Sequence, residues 1–210
     1  MTENYIINIG RQLGSGGKEI GQKLASQLGI SFYDKELIRV ASMESGLKEE
    51  FFERADEKKH FSLFGGLLGL RGNLADDVYS NYYLSNETLF RIQSDVIRKL
   101  ASQQSCLFVG RCADYILKDN PNCLNIFISA ERYDRIKRIA DSQDISEKKA
   151  GELIEKADRD RSGYYNYFTG KSWGAAASYH LCINSSVLGI EGTALFLRSF
   201  TEKRFNLPER

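Results

Sequence analysis

Short apolar runs punctuate the chain at Tyr5–Ile9, Ile30–Tyr33, Cys106–Val109, Leu124–Ile128 and His180–Ile183. Each run is continuous rather than alternating, the pattern of a strand covered on both faces, as in a parallel sheet between helical layers. Between the runs, apolar residues fall at helical spacing. Ile20, Leu24 and Leu28 form one such set, and Leu89, Ile92, Val96 and Leu100 a second. Ile136, Ile139 and Ala140, then Leu153, Ile154 and Ala157, then Ile190, Ala194 and Leu197 complete the series. Strand–helix alternation with right-handed crossovers predicts an α/β fold, three-layered and doubly wound around a parallel five-stranded sheet.

Two stretches depart from this rhythm. Residues 42–85 are charged from Lys48 to Lys59 and then become apolar and glycine-rich in FSLFGGLLGLRG. Four glycines among apolar residues predict a mobile flap or a contact surface rather than a packed helix. Residues 158–178 are rich in arginine, tyrosine, glycine and alanine and lie between the fourth and fifth runs, where a hinged lid is expected.

Composition adds limits. A chain of 210 residues suits one α/β core with a small extra lobe, and such a chain buries roughly 70% of its unfolded surface without staples. Twenty-nine basic residues against twenty-eight acidic ones argue against wholesale binding to nucleic acid or anionic membrane. Any anion site must come from local clustering. No window has the eighteen or so uninterrupted apolar residues of a membrane span, and the first residues carry no basic leader, so a cytoplasmic location is expected. The four cysteines, Cys106, Cys112, Cys123 and Cys182, form no C-x-x-C pair and no zinc spacing. They are expected to be reduced and buried, and no metal ligands are assigned.

The chemistry concentrates in IINIGRQLGSGGKEIGQKLA. A strand ends at Ile9, glycines follow at 10, 14, 16 and 17, and an amphipathic helix begins. Phosphate oxygens can approach backbone N–H groups there without a Cβ in the way, at the positive end of the helix. Gly14, Ser15, Gly16, Gly17, Lys18 and Glu19 are the expected cradle, with Lys18 as a mobile cation. Against G-x-x-x-x-G-K-[ST] the match is imperfect. With Lys18 as the motif lysine, the opening glycine falls on Gln12 and the hydroxyl position on Glu19. Counted forward from the strand, Gly17 takes the lysine position. Both registers stay open.

At this point the chain resembles the cytidylate-kinase-like branch of the nucleoside monophosphate kinases, over most of its length and in four ordered blocks. These are GRQLGSGGKEIGQKLASQLGISFYDKELI, CLFVGRCADYILKDNPNCLNIFISAERYDRIKRI, EKADRDRSGYY and YHLCINSSVLGIEG. The resemblance implies a P-loop nucleotide kinase fold, with core residues 1–41, 86–155 and 179–210. It also implies an acceptor-binding insertion at 42–85 and a lid at 156–178. The implied reaction is ATP-dependent phosphoryl transfer, with magnesium, to a nucleoside monophosphate such as CMP. Arg111 would hold the acceptor phosphate, Lys156, Arg159 and Arg161 would neutralise charge in transfer, and Asp160 would contact the acceptor nucleoside. Arg132 or Arg135 would lie near the nucleotide, although with Arg138 they also form a solvated basic helix face. Asp34 would help hold hydrated Mg²⁺ or cap the next helix. The run 61–70 would line the acceptor lobe or form a homodimer contact.

The chain departs from the family pattern at several points. Cys112 replaces an acid after Gly110–Arg111, Gly163 an arginine, and Asn184 an acid; Lys35–Glu36 replaces a small hydroxyl-glycine run. These losses remove the usual polar partners of cytosine. They keep a second reading open, a nucleotide- or anion-binding protein of weakened catalysis serving as a sensor or partner module.

Overall fold

The central strand β1 (Ile6–Arg11) pairs on both sides with parallel neighbours. The computed structural model describes residues 4–35, 37–38 and 74–208, those from 74 to 86 by backbone alone. β2 (Ser31–Tyr33), β3 (Cys106–Val109), β4 (Cys123–Ser129) and β5 (Leu181–Asn184) complete a sheet of order β2-β3-β1-β4-β5. In register, Ile6 stands opposite Cys106 and Cys123, and Ile9 opposite Val109 and Ile126. The described helices are α1 (Gly17–Leu28), α2 (Leu74–Gln103), α3 (Ala113–Ile116), α4 (Arg132–Gln143), α5 (Glu147–Thr169) and α6 (Ser185–Phe205). The five apolar runs are thus the five strands, displaced by a residue or two at their ends.

The chain divides into two compact units, residues 1–35 with 100–210, and residues 36–99. In the smaller unit, α2 buries Gln93, Val96 and Ile97, and the Ser94 hydroxyl donates to the Phe90 carbonyl at 2.7 Å. The apolar run 61–70 and the charged stretch before it lie outside the described residues.

In the larger unit, helices cover the sheet on both sides. On one face, Ile7, Ile9, Leu107, Val109, Leu124 and Ile126 pack with Ile20, Leu24 and Leu28 of α1 and Ala194 and Leu197 of α6. Here the four-residue stripe of α1 meets the odd-numbered positions of β1. The Ile30 N–H closes α1 on the Ala25 carbonyl at 3.0 Å, turning the chain directly into β2. Leu24 is fully buried in this layer. Leu24→Ala is expected to cost about 2–5 kcal/mol, read as a lower denaturant midpoint at unchanged slope.

The opposite face carries the even-numbered positions Ile6, Asn8, Cys106 and Phe108 of β1 and β3, with Phe127 of β4, all buried. Phe127 meets Trp173 edge-on at 5.1 Å and Tyr179 at 5.0 Å. The Tyr165 hydroxyl of α5 donates to Asp114 of α3 at 2.7 Å. α5 starts at Ser146, whose hydroxyl caps the Lys149 N–H, and runs unbroken through residue 156 to Thr169.

One expectation about the cysteines needs correction. All four are free, and Cys106, Cys112 and Cys123 are buried as expected, but Cys182 is exposed. β5 pairs with β4 alone, so this edge strand turns Cys182 away from the core. Burial pushes the Cys106 and Cys112 thiols up to about 12 and that of Cys123 up to about 11.

Burial also raises the Asp114 carboxyl pKa from 3.8, against the opposing pull of the Tyr165 hydrogen bond. The folded chain therefore binds this proton more tightly than the unfolded one. That contribution is complete below the unfolded value and fades as pH rises through the folded one. Asp114→Asn keeps an acceptor for Tyr165 and removes the titration. The stability of wild type minus that of the variant should fall as pH rises from about 4; a constant difference in urea melts across that range would refute the assignment.

Candidate active site

The loop from Gln12 to Gly16 leaves β1 at the carboxyl edge of the sheet, where ligands of open α/β sheets bind. Its carbonyls are taken up by cations. Arg135 Nε donates to the Leu13 carbonyl at 2.7 Å, Arg138 to that of Gly14 at 3.1 Å, and Arg161 to that of Arg11 at 3.3 Å. Ser185, at the start of α6, donates its hydroxyl to the Ser15 carbonyl at 2.7 Å. Two further contacts set the turn itself. Asp158 accepts the Leu13 N–H at 2.9 Å, and the Ser15 hydroxyl donates to the Gln12 carbonyl at 2.9 Å.

This bracing leaves the amides facing the other way. The N–H groups of Gly14, Gly16, Lys18 and Glu19 have no acceptor among the described residues. Gly16 caps α1 at φ 74°, and a Cβ there would lie 2.9 Å from Ile190. A Cβ on Gly14 would lie 2.7 Å from the Arg135 carbonyl. A loop closed to side chains, with several free amides at a helix N-terminus, fits the oxygens of a polyphosphate.

The expected site residues are distributed as follows. Ser15 is buried inside the turn, and Gly17 is the first residue of α1. Lys18 follows it with its Nζ 2.6 Å from Asp34, and Glu19 is exposed. Arg135 pairs with Asp158 and is buried against the loop, so as it stands it braces the cradle. Arg132 pairs with Glu155 at the surface. Arg161 reaches the loop backbone, and Arg159 joins Gln12, Arg132, Asp158 and Trp173 around a cleft of about 610 Å³. Lys156 and Asp160 are exposed on α5 and form no ion pair with another of the described residues.

Arg111 sits just past β3 in left-handed backbone, φ 61°, followed by Cys112 at φ 54°. Its Nε is buried with no hydrogen-bond partner among the described residues, and its guanidinium lies 5.9 Å from the Tyr164 ring centre. Non-glycine residues in this region are strained by roughly 1–3 kcal/mol each and cluster at functional sites.

For magnesium the described residues near the loop offer little beyond Asp34. Among the described residues no three His, Cys, Asp or Glu side chains come together. Neither Lys18 nor Glu19 supplies a hydroxyl in the first turn of α1. An ion that stays largely hydrated and rides on the phosphates needs only one such carboxylate.

Sequence reasoning missed Asp158, Ser185 and Arg11. Asp158 and Ser185 act on the loop across 145 and 170 positions, with no local signal of doing so.

A parallel sheet of order β2-β3-β1-β4-β5, with a braced glycine loop opening its first helix, defines the P-loop kinase fold. A gluconokinase from Sinorhizobium meliloti 1021 shares that fold at a TM-score of 0.51 and 9% identity, covering 99% of each chain. The match to the cytidylate kinase-like family runs over residues 6–187, and the chain belongs to that family. An uncharacterized protein from Eubacterium ventriosum ATCC 27560 is similar at 26% identity and a TM-score of 0.72, over 96% of this chain and all (100%) of that one. No curated protein matches the sequence.

Asp158 satisfies both a loop amide and a buried arginine. Asp158→Ala should therefore cost about 3–5 kcal/mol by stranding the Arg135 charge. In a denaturant melt it should lose far more stability than Glu155→Ala, whose partner Arg132 is exposed; equal losses would show that Asp158 does not hold the loop.

Proposed function

We propose that this protein transfers a phosphoryl group from ATP to a nucleoside monophosphate, CMP by default, or to a similar small phosphorylated acceptor. The family and fold support nucleotide-dependent phosphoryl transfer in general. The observation that carries the proposal is the set of free amides at Gly14, Gly16, Lys18 and Glu19 beside a group of arginines. Phosphoryl transfer needs alignment and charge stabilisation rather than covalent help from the protein, so a site of this composition suits it.

In this reading the loop amides hold the donor phosphates and Arg111 orients the acceptor phosphate. Arg161 and Arg159 balance the charge that spreads over the transferred group. Lys156 and Asp160 join only if α5 or the acceptor brings them inward. Asp34 would hold the hydrated magnesium that accompanies the nucleotide once Lys18 releases it. No general base is required, because an acceptor phosphate oxygen is already anionic.

A second reading, nucleotide binding with weakened catalysis, is favoured by one contact. Lys18 is engaged by Asp34 at 2.6 Å, so both the cation and the metal-binding carboxylate are occupied with each other. The test is ADP formation from ATP and Mg²⁺ across a panel of nucleoside monophosphates, alongside calorimetric titration with ATP. Transfer to at least one acceptor is the expected result. Saturable ATP binding with no acceptor-dependent ADP would select the binding reading, and absence of ATP binding would remove both.

A further inference from the structure

In the pattern G-x-x-x-x-G-K, the last glycine ends the loop and the lysine opens the helix. Gly16 caps α1 here and Gly17 is its first residue, so the lysine's place carries no side chain. Five positions before Gly16, where the pattern has its opening glycine, stands Arg11. A glycine and a cation have changed places across the loop.

The space around both positions is built for that exchange. A Cβ on Gly17 would lie 2.6 Å from Arg11 Cβ and 3.0 Å from its Cγ, so the arginine stem runs where a lysine stem would start. At the far end, a Cβ on Gly110 would lie 2.1 Å from Arg11 Nη1. Two glycines, one at the start of α1 and one at the end of β3, clear a channel for a single side chain. The channel begins at Gly17, between the free amides of Gly16 and Lys18, and ends at Gly110, just past β3.

We infer that Arg11 supplies, from the end of β1, the cation that P-loop proteins usually supply from the first turn of the helix, and that its guanidinium grips the outer phosphate of the bound nucleotide. The inference rests on the phosphoryl-transfer reading and assigns a residue to it. Arg11 is short of counter-charge, as a waiting anion site should be. Burial, then repulsion from Arg161 and Arg111, lowers its pKa from 12.5 to about 9, and only Asp34 opposes the shift. It stays protonated at neutral pH. A guanidinium also contacts phosphate oxygens through two parallel N–H bonds, where an ammonium offers a point charge.

The test uses Arg11→Gln, which keeps an unbranched stem and a hydrogen-bonding end two atoms shorter and without charge, and the exchange variant Arg11→Gly with Gly17→Lys. Calorimetric affinities for ATP and AMP are measured on each, with thermal melts as a check on folding. Arg11→Gln should weaken ATP about 10- to 100-fold, the loss of a charge-assisted contact, and leave AMP within about threefold, since AMP lacks the outer phosphates. The exchange variant should recover at least half of the lost ATP affinity on a logarithmic scale, whereas Gly17→Lys alone should be destabilised by its collision with Arg11. Unchanged ATP affinity in Arg11→Gln, or equal losses for ATP and AMP, would overturn the assignment while leaving the kinase reading in place. If Arg11→Gln does not fold, the exchange variant decides: failure to bind ATP while folded overturns the inference. A wild-type protein that binds no ATP would instead remove the reading on which it rests.

Discussion

The free amides at the end of β1 exist because their carbonyls are spoken for. A tight loop has as many acceptors as donors, and an unbraced one would rotate to satisfy both from itself or from water. Here Arg135, Arg138 and Arg161 take the carbonyls of Leu13, Gly14 and Arg11, and Ser185 takes that of Ser15. The Leu13–Gly14 and Ser15–Gly16 peptide planes are thereby fixed with their N–H groups free, while the N–H groups of Gln12 and Ser15 bond the Ile128 and Gln12 carbonyls. Such dipoles need no reorganisation when charge arrives, which is what makes them effective in phosphoryl transfer.

The same bracing ties distant elements to one loop. α4 contributes Arg135 and Arg138, α5 contributes Asp158 and Arg161, and α6 contributes Ser185. Arg135 and Asp158 form a buried pair that would be costly if either partner were alone. Each also bonds the backbone of Leu13, so the pair and the loop satisfy one another. α5 is therefore coupled to the cradle directly, through Asp158 and Arg161 on the loop backbone.

Much of the fold was legible because parallel strands covered on both faces must be apolar throughout, and five such runs in order leave few topologies. Cys182 was misread for the complementary reason: an edge strand has one neighbour, and an apolar run there does not guarantee enclosure. The cradle itself was legible from its glycines. Its register was not, because residue spacing cannot say where a helix begins; the left-handed Gly16 does. Arg135 and Arg159 recur among charges that look alike in sequence, yet one is buried against a carbonyl and the other faces solvent. Only the face each occupies on its own helix, α4 for Arg135 and α5 for Arg159, separates them. Arg11 was invisible for a different reason, since its meaning comes from the missing side chain of Gly17 beside it.

Local charge, rather than net charge, is what connects this site to stability. The whole chain carries a formal charge of +1, yet Arg11, Arg111 and Arg161 crowd the strand ends with Asp34 already paired to Lys18. The backbone adds its own strain, with Arg111 and Cys112 both left-handed in the turn that presents the guanidinium. Repulsion and strain of this kind are costs the folded protein bears without an anion and recovers in part when one binds. A polyanion seated among these groups binds the native state and not the unfolded chain, so its binding free energy adds to folding stability. The charges that would prepare the site for phosphate would thus also couple phosphate binding to the stability of the larger unit.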